Sequence, residues 1–212
     1  RFVPPEQRLI LRGARIATSP RTASTLDIEL NSNRISQIAR SINGPGLDLS
    51  GSLCLPGLIN AHDHLEFNLF PRLGRAPNPN MLAWARRVYQ PDKPPVREHR
   101  SIPRRERLYW GAIKNLVSGV TTVCHHNAFA PSMFNAQFPV AVVRNFGWAH
   151  SLNFPPSVDS QYPSTPPNWP FLVHAAESID GSGHAELQQL ARSGALSANL
   201  VLIHAVDLLP HH

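Results

Sequence analysis

The sequence predicts a protein of the α/β class with two parts, and two observations support this prediction. Before residue 56, short apolar stretches alternate with polar turns, which is the pattern of a small β unit. After Pro56 and Gly57, nearly continuous apolar runs alternate with segments of helical character. Apolar runs separated by helices are typical of parallel strands that are buried on both faces of a sheet, as in βα repeats. We therefore expect a β unit over residues 1–55 and βα repeats over residues 56–212.

The first part carries the signals of antiparallel strands. Its apolar runs are LILRGARIAT, TLDIELNSNRISQIA and LDLSGSLCLP, and a Gly-Pro-Gly break at residues 44–46 precedes the last of them. The Asn-Ser-Asn stretch at residues 31–33 is short and polar, as a hairpin turn requires. We expect a small antiparallel β unit here.

The second part reads as alternating strands and helices with two long interruptions. The strand-like runs are GLIN, GVTTVC, PVAVVRNFGW, PFLVHA and NLVLIHA, and helical character is visible over residues 102–118 and 183–193. Residues 68–101 and 153–170 are rich in proline. We expect these two segments to be long loops over a functional site, because long loops in compact domains commonly carry function.

Composition and charge exclude several classes of protein. No apolar run approaches the roughly 18 residues of a membrane span. Residues 1–7 carry prolines and charge in place of an apolar signal core, so we expect a cytoplasmic protein. The formal charge of +6 is spread along the chain, with one local concentration of arginines between residues 97 and 107. We therefore expect a small-molecule substrate, no nucleic-acid partner and no membrane, and leave a homodimer open.

Several of the 11 histidines directly follow apolar runs, and the first such group is a candidate metal site. In LPGLINAHDHLEF, His62 and His64 are two residues apart at the end of a strand-like run. Alternate residues of a strand point to the same side, so both imidazoles can approach one ion at about 2.0–2.1 Å while Asp63 points away. A pair with this spacing also occurs by chance on protein surfaces, so its context has to decide.

Two further strand-like runs end in histidine. In FLVHAAE, His174 ends the run and Glu177 follows three residues later, and in NLVLIHAVDL the run ends at His204. A carboxylate close to a metal-activated water can accept its proton and return it to a leaving group. A histidine at the end of a strand can equally be a half-buried structural side chain with a hydrogen-bond partner, and taken singly both readings stay open.

Taken together and in this order, the motifs resemble the amidohydrolase superfamily. The Pro-Gly turn, apolar strand and HxH pair resemble its first barrel strand, and the HxxE group is similar to that of its deaminase and chlorohydrolase branch. The resemblance implies a (β/α)8 TIM-type barrel with a small N-terminal β-sandwich-like unit. It also implies that His62, His64 and His174 bind one divalent metal, Zn²⁺ in preference to Fe²⁺, and that Glu177 shuttles protons.

The resemblance leaves two roles for the histidine after the sixth strand. In binuclear members it binds a second metal, and in mononuclear members it orients the attacking water or the substrate. The binuclear site typically needs a carbamylated lysine from the fourth strand, and the run PVAVVRNFGWAH contains no lysine, nor do Lys93 and Lys114 fall at the end of a strand. We therefore expect one metal ion and a catalytic role for His204.

Four more residues are candidates for substrate binding. His125 and His126 close the run GVTTVCHHN, which resembles the superfamily's strand before a substrate loop, and one side chain should face the pocket while the other faces the wall. His150 follows the fourth strand-like run, and Glu66 lies just past the HxH pair. For each of them a structural or solvated role remains the alternative.

One feature departs from the superfamily pattern. Its members take a last metal ligand from an aspartate at the end of the eighth strand, whereas this chain ends soon after the sixth strand-like run. A closed barrel takes about 250 residues. We therefore expect residues 56–212 to form strands one to six of an incomplete barrel, with the remaining strands and the aspartate outside this sequence.

These features predict a hydrolase that acts on carbon–nitrogen bonds other than peptide bonds. The reaction would be deamination, or amide or amidine hydrolysis, of a small cyclic substrate through a metal-activated water. Two alternatives are an aromatic dehalogenating hydrolase of the same branch and a non-catalytic scaffold that has kept the fold.

Overall fold

The computed structural model describes residues 8–74 and 77–208, and these form two compact units, Arg1–Gly57 and Leu58–His212. Strands and helices are both present, which confirms the α/β class. Residues 1–7, on which the expectation about a signal core depends, lie outside the described residues, as do residues 75 and 76 of the first proline-rich segment.

The first unit is one five-stranded sheet. Its strands are β1 (Arg8–Ser19), β2 (Thr22–Asn31), β3 (Arg34–Ala39), β4 (Leu47–Asp48) and β5 (Leu53–Cys54). The β1–β2 and β2–β3 pairs are antiparallel, as predicted, whereas β4 and β5 pair with β1 in parallel. The purely antiparallel expectation is wrong for β4 and β5, because the chain crosses back after β3 before it pairs again. The described residues of this unit form this single sheet, so they do not provide the second layer of a sandwich.

Two local features hold this sheet together. The predicted hairpin turn is confirmed: β2 and β3 are joined by two residues, and Ser32 adopts a φ of 55°. Asp27 is buried, and its carboxylate accepts hydrogen bonds from the backbone N–H groups of Gly13 and Ile42, both at 3.0 Å, and from the Arg12 guanidinium at 3.1 Å. These contacts, with the two backbone hydrogen bonds largest, hold the pKa of Asp27 below its usual value.

The described residues of the second unit contain six strands, and every pair of neighbouring strands among them is parallel. They are β6 (Leu58–Asp63), β7 (Val120–His125), β8 (Ala141–Val142), β9 (Gly147–Ser151), β10 (Phe171–Ala175) and β11 (Leu200–His204). They form two three-stranded sheets in the orders β6-β7-β8 and β11-β10-β9. The single run PVAVVRNFGW thus contains two strands, β8 and β9, with the polar pair Arg144 and Asn145 between them.

Five helices accompany the described strands of this unit: α1 (Met81–Val88), α2 (Val96–Ser101), α3 (Arg104–Val117), α4 (Val158–Gln161) and α5 (Gly183–Arg192). The predictions of helices at residues 102–118 and 183–193 are confirmed by α3 and α5. In the described part of the chain, no helix has both the length and the apolar character needed to cross a membrane.

The expectation of long loops over residues 68–101 and 153–170 is wrong for parts of both segments, because α1 and α2 lie inside the first and α4 lies inside the second. Asn80 caps α1, since its side-chain oxygen accepts a hydrogen bond from the N–H of Ala83 at 2.8 Å. The prolines of the first segment lie outside α1 and α2, in places where their missing N–H does not break a helical ladder. A high proline content therefore did not prevent helix formation between the prolines.

Three apolar clusters form the core of the second unit. One joins α3 to β7 through Leu108, Ala112 and Val123, and another joins α5 to β10 through Leu190 and Val173. The third contains Cys124 of β7, Leu172 of β10 and Ile203 of β11. Because the third cluster draws side chains from both three-stranded sheets, it brings the carboxyl ends of β7, β10 and β11 to one place.

Candidate metal centre

Four imidazoles meet at the carboxyl ends of three parallel strands. His62 lies in β6, His64 just after it, His126 just after β7 and His174 in β10. The four side chains offer ring nitrogens that all lie within 4.8 Å of one another. The ring centroids of His62 and His64 are 4.9 Å apart, and those of His62 and His174 are 4.7 Å apart. The structure therefore brings together the three predicted ligands and adds a fourth histidine to them.

The HxH pair is oriented by the residue between its two histidines. Asp63 points away from the imidazoles, and its carboxylate accepts hydrogen bonds from the side-chain amides of Asn60 at 3.2 Å, Asn68 at 2.8 Å and Asn115 at 2.6 Å. The register between β6 and β7 is irregular between Asn60 and Asp63. Three amide donors thus hold Asp63 on one face of the strand. Because neighbouring side chains of a strand alternate, both imidazoles then lie on the opposite face.

His126 and His174 are held by successive carbonyl groups of β9. Nε2 of His126 lies 2.9 Å from the carbonyl oxygen of Ala149, and Nδ1 of His174 lies 2.6 Å from that of His150. A carbonyl oxygen can only accept, so each of these nitrogens carries the proton and donates it. The other nitrogen of each ring then carries the lone pair, and Nε2 of His174 lies 3.4 Å from Nε2 of His64.

Burial keeps these imidazoles neutral. It is the largest cause that lowers their pKa values, to about 4 for His62, about 3 for His64 and His174 and about 2 for His126, and neighbouring imidazoles lower them further. Neutral imidazoles are the form that binds a metal ion. Nε2 of His62 and Nδ1 of His126 are buried without a hydrogen-bond partner among the described residues. Buried acceptors of this kind fit a bound cation, because an ion would satisfy their lone pairs.

A carboxyl group and a fifth imidazole lie beside this cluster. Oε1 of Glu177 is 3.5 Å from Nε2 of His204, and both groups come within 4.8 Å of a ring nitrogen of His174. Burial, and then the neighbouring Glu186 carboxylate, raise the pKa of Glu177 to about 7. The backbone at Ala176 and His204 has φ values of 54° and 70°, in the left-handed region that residues with a Cβ seldom adopt. Sharp turns at the two strand ends therefore set the direction of these side chains.

The histidines and Glu177 form one end of a cavity of about 1210 Å³. The opposite wall is apolar and largely aromatic, and its side chains include Phe67, Phe70, Leu82, Trp84, Val88, Tyr89 and Phe154. Apart from the histidines, the lining contains two side chains that can carry a charge near neutral pH, Arg86 and Glu177. The amphipathic helix α1 supplies much of the wall, and its cap residue Asn80 is held by Asp180 at 2.8 Å. The cavity lining thus combines a histidine-rich part, which contains candidate metal ligands, with an apolar and largely aromatic part.

No family model matches the chain. It is similar to two curated proteins, the 5-methylthioadenosine/S-adenosylhomocysteine deaminases of Carboxydothermus hydrogenoformans and Pyrococcus furiosus, at 31% identity over 120 and 103 residues. The resemblance to the amidohydrolase superfamily is confirmed. The matched regions cover 52% and 45% of this chain, and 26% and 22% of the two deaminases. The chain therefore spans about a quarter of the length of these relatives.

The chain also aligns with a solved structure at low identity. The N-isopropylammelide isopropylaminohydrolase of Burkholderia multivorans aligns over 96% of this chain and 63% of its own, with 14% identity and a TM-score of 0.48.

Among the four candidates for substrate binding, His125 and Glu66 form a pair away from the cavity. Nε2 of His125 is 3.1 Å from Oε2 of Glu66, and Nδ1 of His125 accepts the N–H of Leu65 at 3.3 Å. Burial alone would raise the pKa of Glu66, but the interaction with His125, with smaller contributions from Asn127 and Arg104, lowers it to about 2. Neither residue lines the cavity. This placement indicates a structural pair that ties the turn after β6 to β7.

The two remaining candidates for substrate binding, His126 and His150, lie in different places. His150 lines the cavity, whereas His126 is fully buried and does not line it. One of the adjacent histidines was expected to face the pocket and the other the wall, and neither lines the cavity: His126 contacts the imidazole cluster, and His125 packs on Phe134. Sequence reasoning did not assign His126 to the metal cluster, and the adjacency of two histidines after an apolar strand was the signal that could have suggested it.

Proposed function

We propose that this chain is the metal-binding part of a metal-dependent hydrolase of carbon–nitrogen bonds, which deaminates, or hydrolyses an amide or amidine in, a small cyclic substrate. The observation that carries the proposal is the convergence of neutral, buried imidazoles with Glu177 and His204 at one end of a large cavity. The similarity to two deaminases supports carbon–nitrogen chemistry over dehalogenation. Six parallel strands and their interleaved helices support a (β/α)8 barrel for the whole protein.

His62, His64 and His174 would hold one divalent ion, and their nitrogen donors suit zinc. Zinc supplies Lewis acidity and lowers the pKa of water to about 7. The histidines' own contribution is to present lone pairs without charge, since burial keeps their pKa values far below neutral pH. The hydrogen bond from Nδ1 of His174 to the carbonyl of His150 fixes which nitrogen faces the site.

Glu177 is proposed to carry the proton. A pKa of about 7 allows the carboxylate to accept a proton from water and, as the acid, to return it to the leaving nitrogen at neutral pH. Its position in the lining of the cavity lets it reach both partners. The buried environment that raises its pKa is therefore part of its catalytic role.

His204 is proposed to stabilise the negative charge that develops on oxygen when water adds to the reacting carbon. Its imidazole lines the cavity, and Nε2 lies 3.5 Å from the Glu177 carboxylate. A hydrogen-bond donor aimed at the developing charge lowers the barrier of such additions. His150 also lines the cavity and is proposed to contact the substrate.

The apolar wall indicates what else the substrate contains. Phe67, Leu82 and Trp84 contribute apolar side chains to the lining of the cavity, so a ring or an apolar substituent fits against them. The reacting carbon would then face the histidines while the apolar part contacts α1. A small substrate with a polar, nitrogen-bearing ring at one end and an apolar group at the other matches both parts of the lining.

Metal analysis and substrate screening of the whole purified protein test this function. We expect one equivalent of zinc per chain and release of ammonia from a member of a panel that includes 5-methylthioadenosine, S-adenosylhomocysteine and amino-substituted triazines. Release of chloride from chlorinated triazines without ammonia would indicate the dehalogenating alternative. Protein that retains no metal and turns over none of the panel would contradict the proposal and favour a non-catalytic scaffold.

A further inference from the structure

We infer that His126 is a further ligand of the metal ion, bound through Nδ1, so that four imidazoles of this chain hold the ion. The inference rests on the proposed function, because it concerns the same site. It goes beyond the three ligands to which the motifs point, and it gives His126 a role other than substrate binding.

The protonation of His126 is fixed by its surroundings. The side chain is fully buried, and Nε2 donates its proton to the carbonyl oxygen of Ala149 at 2.9 Å. Nδ1 is therefore the nitrogen with the free lone pair, and it has no hydrogen-bond partner among the described residues. Metal-binding histidines almost always donate their second ring N–H to a carbonyl, a carboxylate or water, and His126 has this arrangement.

His174 provides an internal comparison, because its motif marks it as a ligand. It donates Nδ1–H to the carbonyl of His150, the residue after Ala149 on β9, and directs Nε2 towards His64. Successive carbonyls of one strand thus hold one imidazole from β7 and one from β10. In each ring one nitrogen is therefore fixed as a donor to β9, and the other nitrogen carries the lone pair.

The ring of His126 lies about as close to the rings of the other three histidines as those rings lie to one another. Its ring centroid lies 5.1 Å from that of His62, 5.4 Å from that of His64 and 4.5 Å from that of His174. The distances within the motif-based set are 4.9, 4.7 and 5.2 Å. Imidazoles whose nitrogens lie about 2 Å from one ion have ring centres roughly 5 Å apart.

The alternative roles of His126 agree less well with its contacts. Substrate cannot reach a side chain that is 0% exposed and absent from the cavity lining. A purely structural histidine would have a partner for its second nitrogen, as buried polar groups generally do. Apart from the neighbouring imidazoles, His126 makes an edge-on contact with the ring of Trp148, and the two ring centroids are 5.6 Å apart. A bound cation is the partner that Nδ1 lacks.

Four protein nitrogens change what the ion can do. Three histidines, the aspartate that the superfamily resemblance implies and one water give the ion five ligands, a number that zinc adopts, and His126 would add a sixth. The coordination number is visible in the absorption spectrum when Co²⁺ replaces zinc, because the visible bands of Co²⁺ weaken as the coordination number rises. The spectrum therefore distinguishes a ligand from a residue that only positions one.

The test is a Co²⁺ titration of the metal-free whole protein, followed by its visible absorption. His126→Gln keeps an amide donor for the Ala149 carbonyl and removes Nδ1, and the control His99→Gln alters a buried imidazole that stacks on Phe70 outside the ligand group. We expect His126→Gln to weaken Co²⁺ binding by at least about 10-fold and to intensify the visible bands of the loaded protein. We expect His99→Gln to change neither.

Three outcomes separate this inference from the proposed function. Unchanged affinity and spectrum in His126→Gln would overturn the inference and leave the three-histidine site intact. Weaker binding with an unchanged spectrum would overturn it too, because His126 would then only position a ligand. Failure of the unsubstituted protein to bind Co²⁺ would contradict the proposed function itself. If circular dichroism shows that His126→Gln does not fold, His126→Asn, which keeps a polar atom near the position of Nδ1, is expected to bind Co²⁺ more tightly than His126→Ala.

Discussion

Glu177 combines two properties that proton transfer requires. Its side chain lines the cavity next to the imidazole cluster, and burial raises its pKa to about 7. An exposed glutamate would stay ionised at neutral pH and would be a poor acid in the second half of the reaction. The sequence spacing after His174 predicted the residue, and the buried environment gives a physical reason for its role.

Substitution of Glu177 by glutamine tests this role. Glutamine keeps the size of the side chain and removes the ionisable group, so we expect kcat to fall by about 10²-fold or more. Metal content, measured by elemental analysis, should hardly change because the imidazoles are left in place. Full turnover in Glu177→Gln would remove this residue from the mechanism. Loss of metal together with activity would instead make Glu177 a ligand or a support of His174.

At the scale of elements, the packing of α3 against the turn after β6 positions the HxH pair. Gly111 in α3 lies against the backbone of Leu65, the residue that follows His64. A Cβ at this position would come within 2.8 Å of the Leu65 carbonyl carbon, closer than real Cβ contacts allow. Leu65 is fully buried, so the turn has no free space into which it could move.

Replacement of Gly111 by alanine should therefore disturb the metal site from a distance. Overpacking of this kind destabilises proteins by typically 1–3 kcal/mol, which urea unfolding of the protein would measure. We also expect weaker metal binding, because any shift of Leu65 is transmitted to His64. Ser118→Ala, at the exposed end of the same helix, is the control and should change neither property. Unaltered stability and metal affinity in Gly111→Ala would show that this contact does not position the pair.

Asp27 plays a comparable positioning role in the first unit. Its carboxylate joins the N–H groups of Gly13 and Ile42 and the Arg12 guanidinium, and these contacts lower its pKa. A carboxyl group with a lowered pKa stabilises the fold above its ordinary pKa, and this contribution disappears as the pH falls through the lowered value. The sheet should therefore loosen in acid around these two amides.

Hydrogen exchange with pH-corrected rates would detect this effect. In Asp27→Asn we expect lower protection at the Gly13 and Ile42 amides than in the unsubstituted protein at pH 7. The difference should shrink as the pH falls below the ordinary range of aspartate, where the unsubstituted carboxyl also becomes neutral. A difference that stays constant from pH 7 to strongly acidic conditions would mean that the charge of Asp27 does not support these hydrogen bonds.

For the whole molecule, the proposed metal site links strands that are distant in the sequence. The imidazoles come from β6 and the residue after it, from the residue after β7 and from β10, and the core cluster of Cys124, Leu172 and Ile203 joins β7, β10 and β11. A ligand that binds only the folded state stabilises it in proportion to the logarithm of its concentration over Kd. Metal binding should therefore stabilise the second unit as a whole.

Removal of the metal should lower this stability. At a metal concentration of 100 Kd the stabilisation is about 2.7 kcal/mol, so a chelator should decrease the temperature of thermal unfolding by several degrees. Added zinc should restore it, and His174→Gln should abolish the response to chelator. Hydrogen exchange of the backbone amides in β1 and β2, which belong to the first unit, serves as the internal reference for the effect of the chelator. A chelator that leaves the unfolding temperature unchanged would indicate that no metal is bound to the folded chain.

Local patterns in the sequence were sufficient for much of the fold and of the candidate site. The α/β class, helices α3 and α5 and the turn at Ser32 followed from the periodicity of apolar residues and from turn chemistry, which act over a few neighbouring residues. Helices α1 and α2 were missed because prolines between them masked their pattern, and the parallel pairing of β4 and β5 depends on a crossover that no local pattern marks.

The sequence by itself determined which residues could meet as metal ligands on one strand, because the two-residue period of a strand already places His62 and His64 on the same side. The partners of the other side chains were decided by the tertiary structure. His125 and His126 are adjacent in the sequence, yet one pairs with Glu66 and the other joins His62, His64 and His174. Hydrogen bonds from His126 and His174 to successive carbonyls of β9 set this division, and such contacts exist only once β7, β9 and β10 have packed side by side.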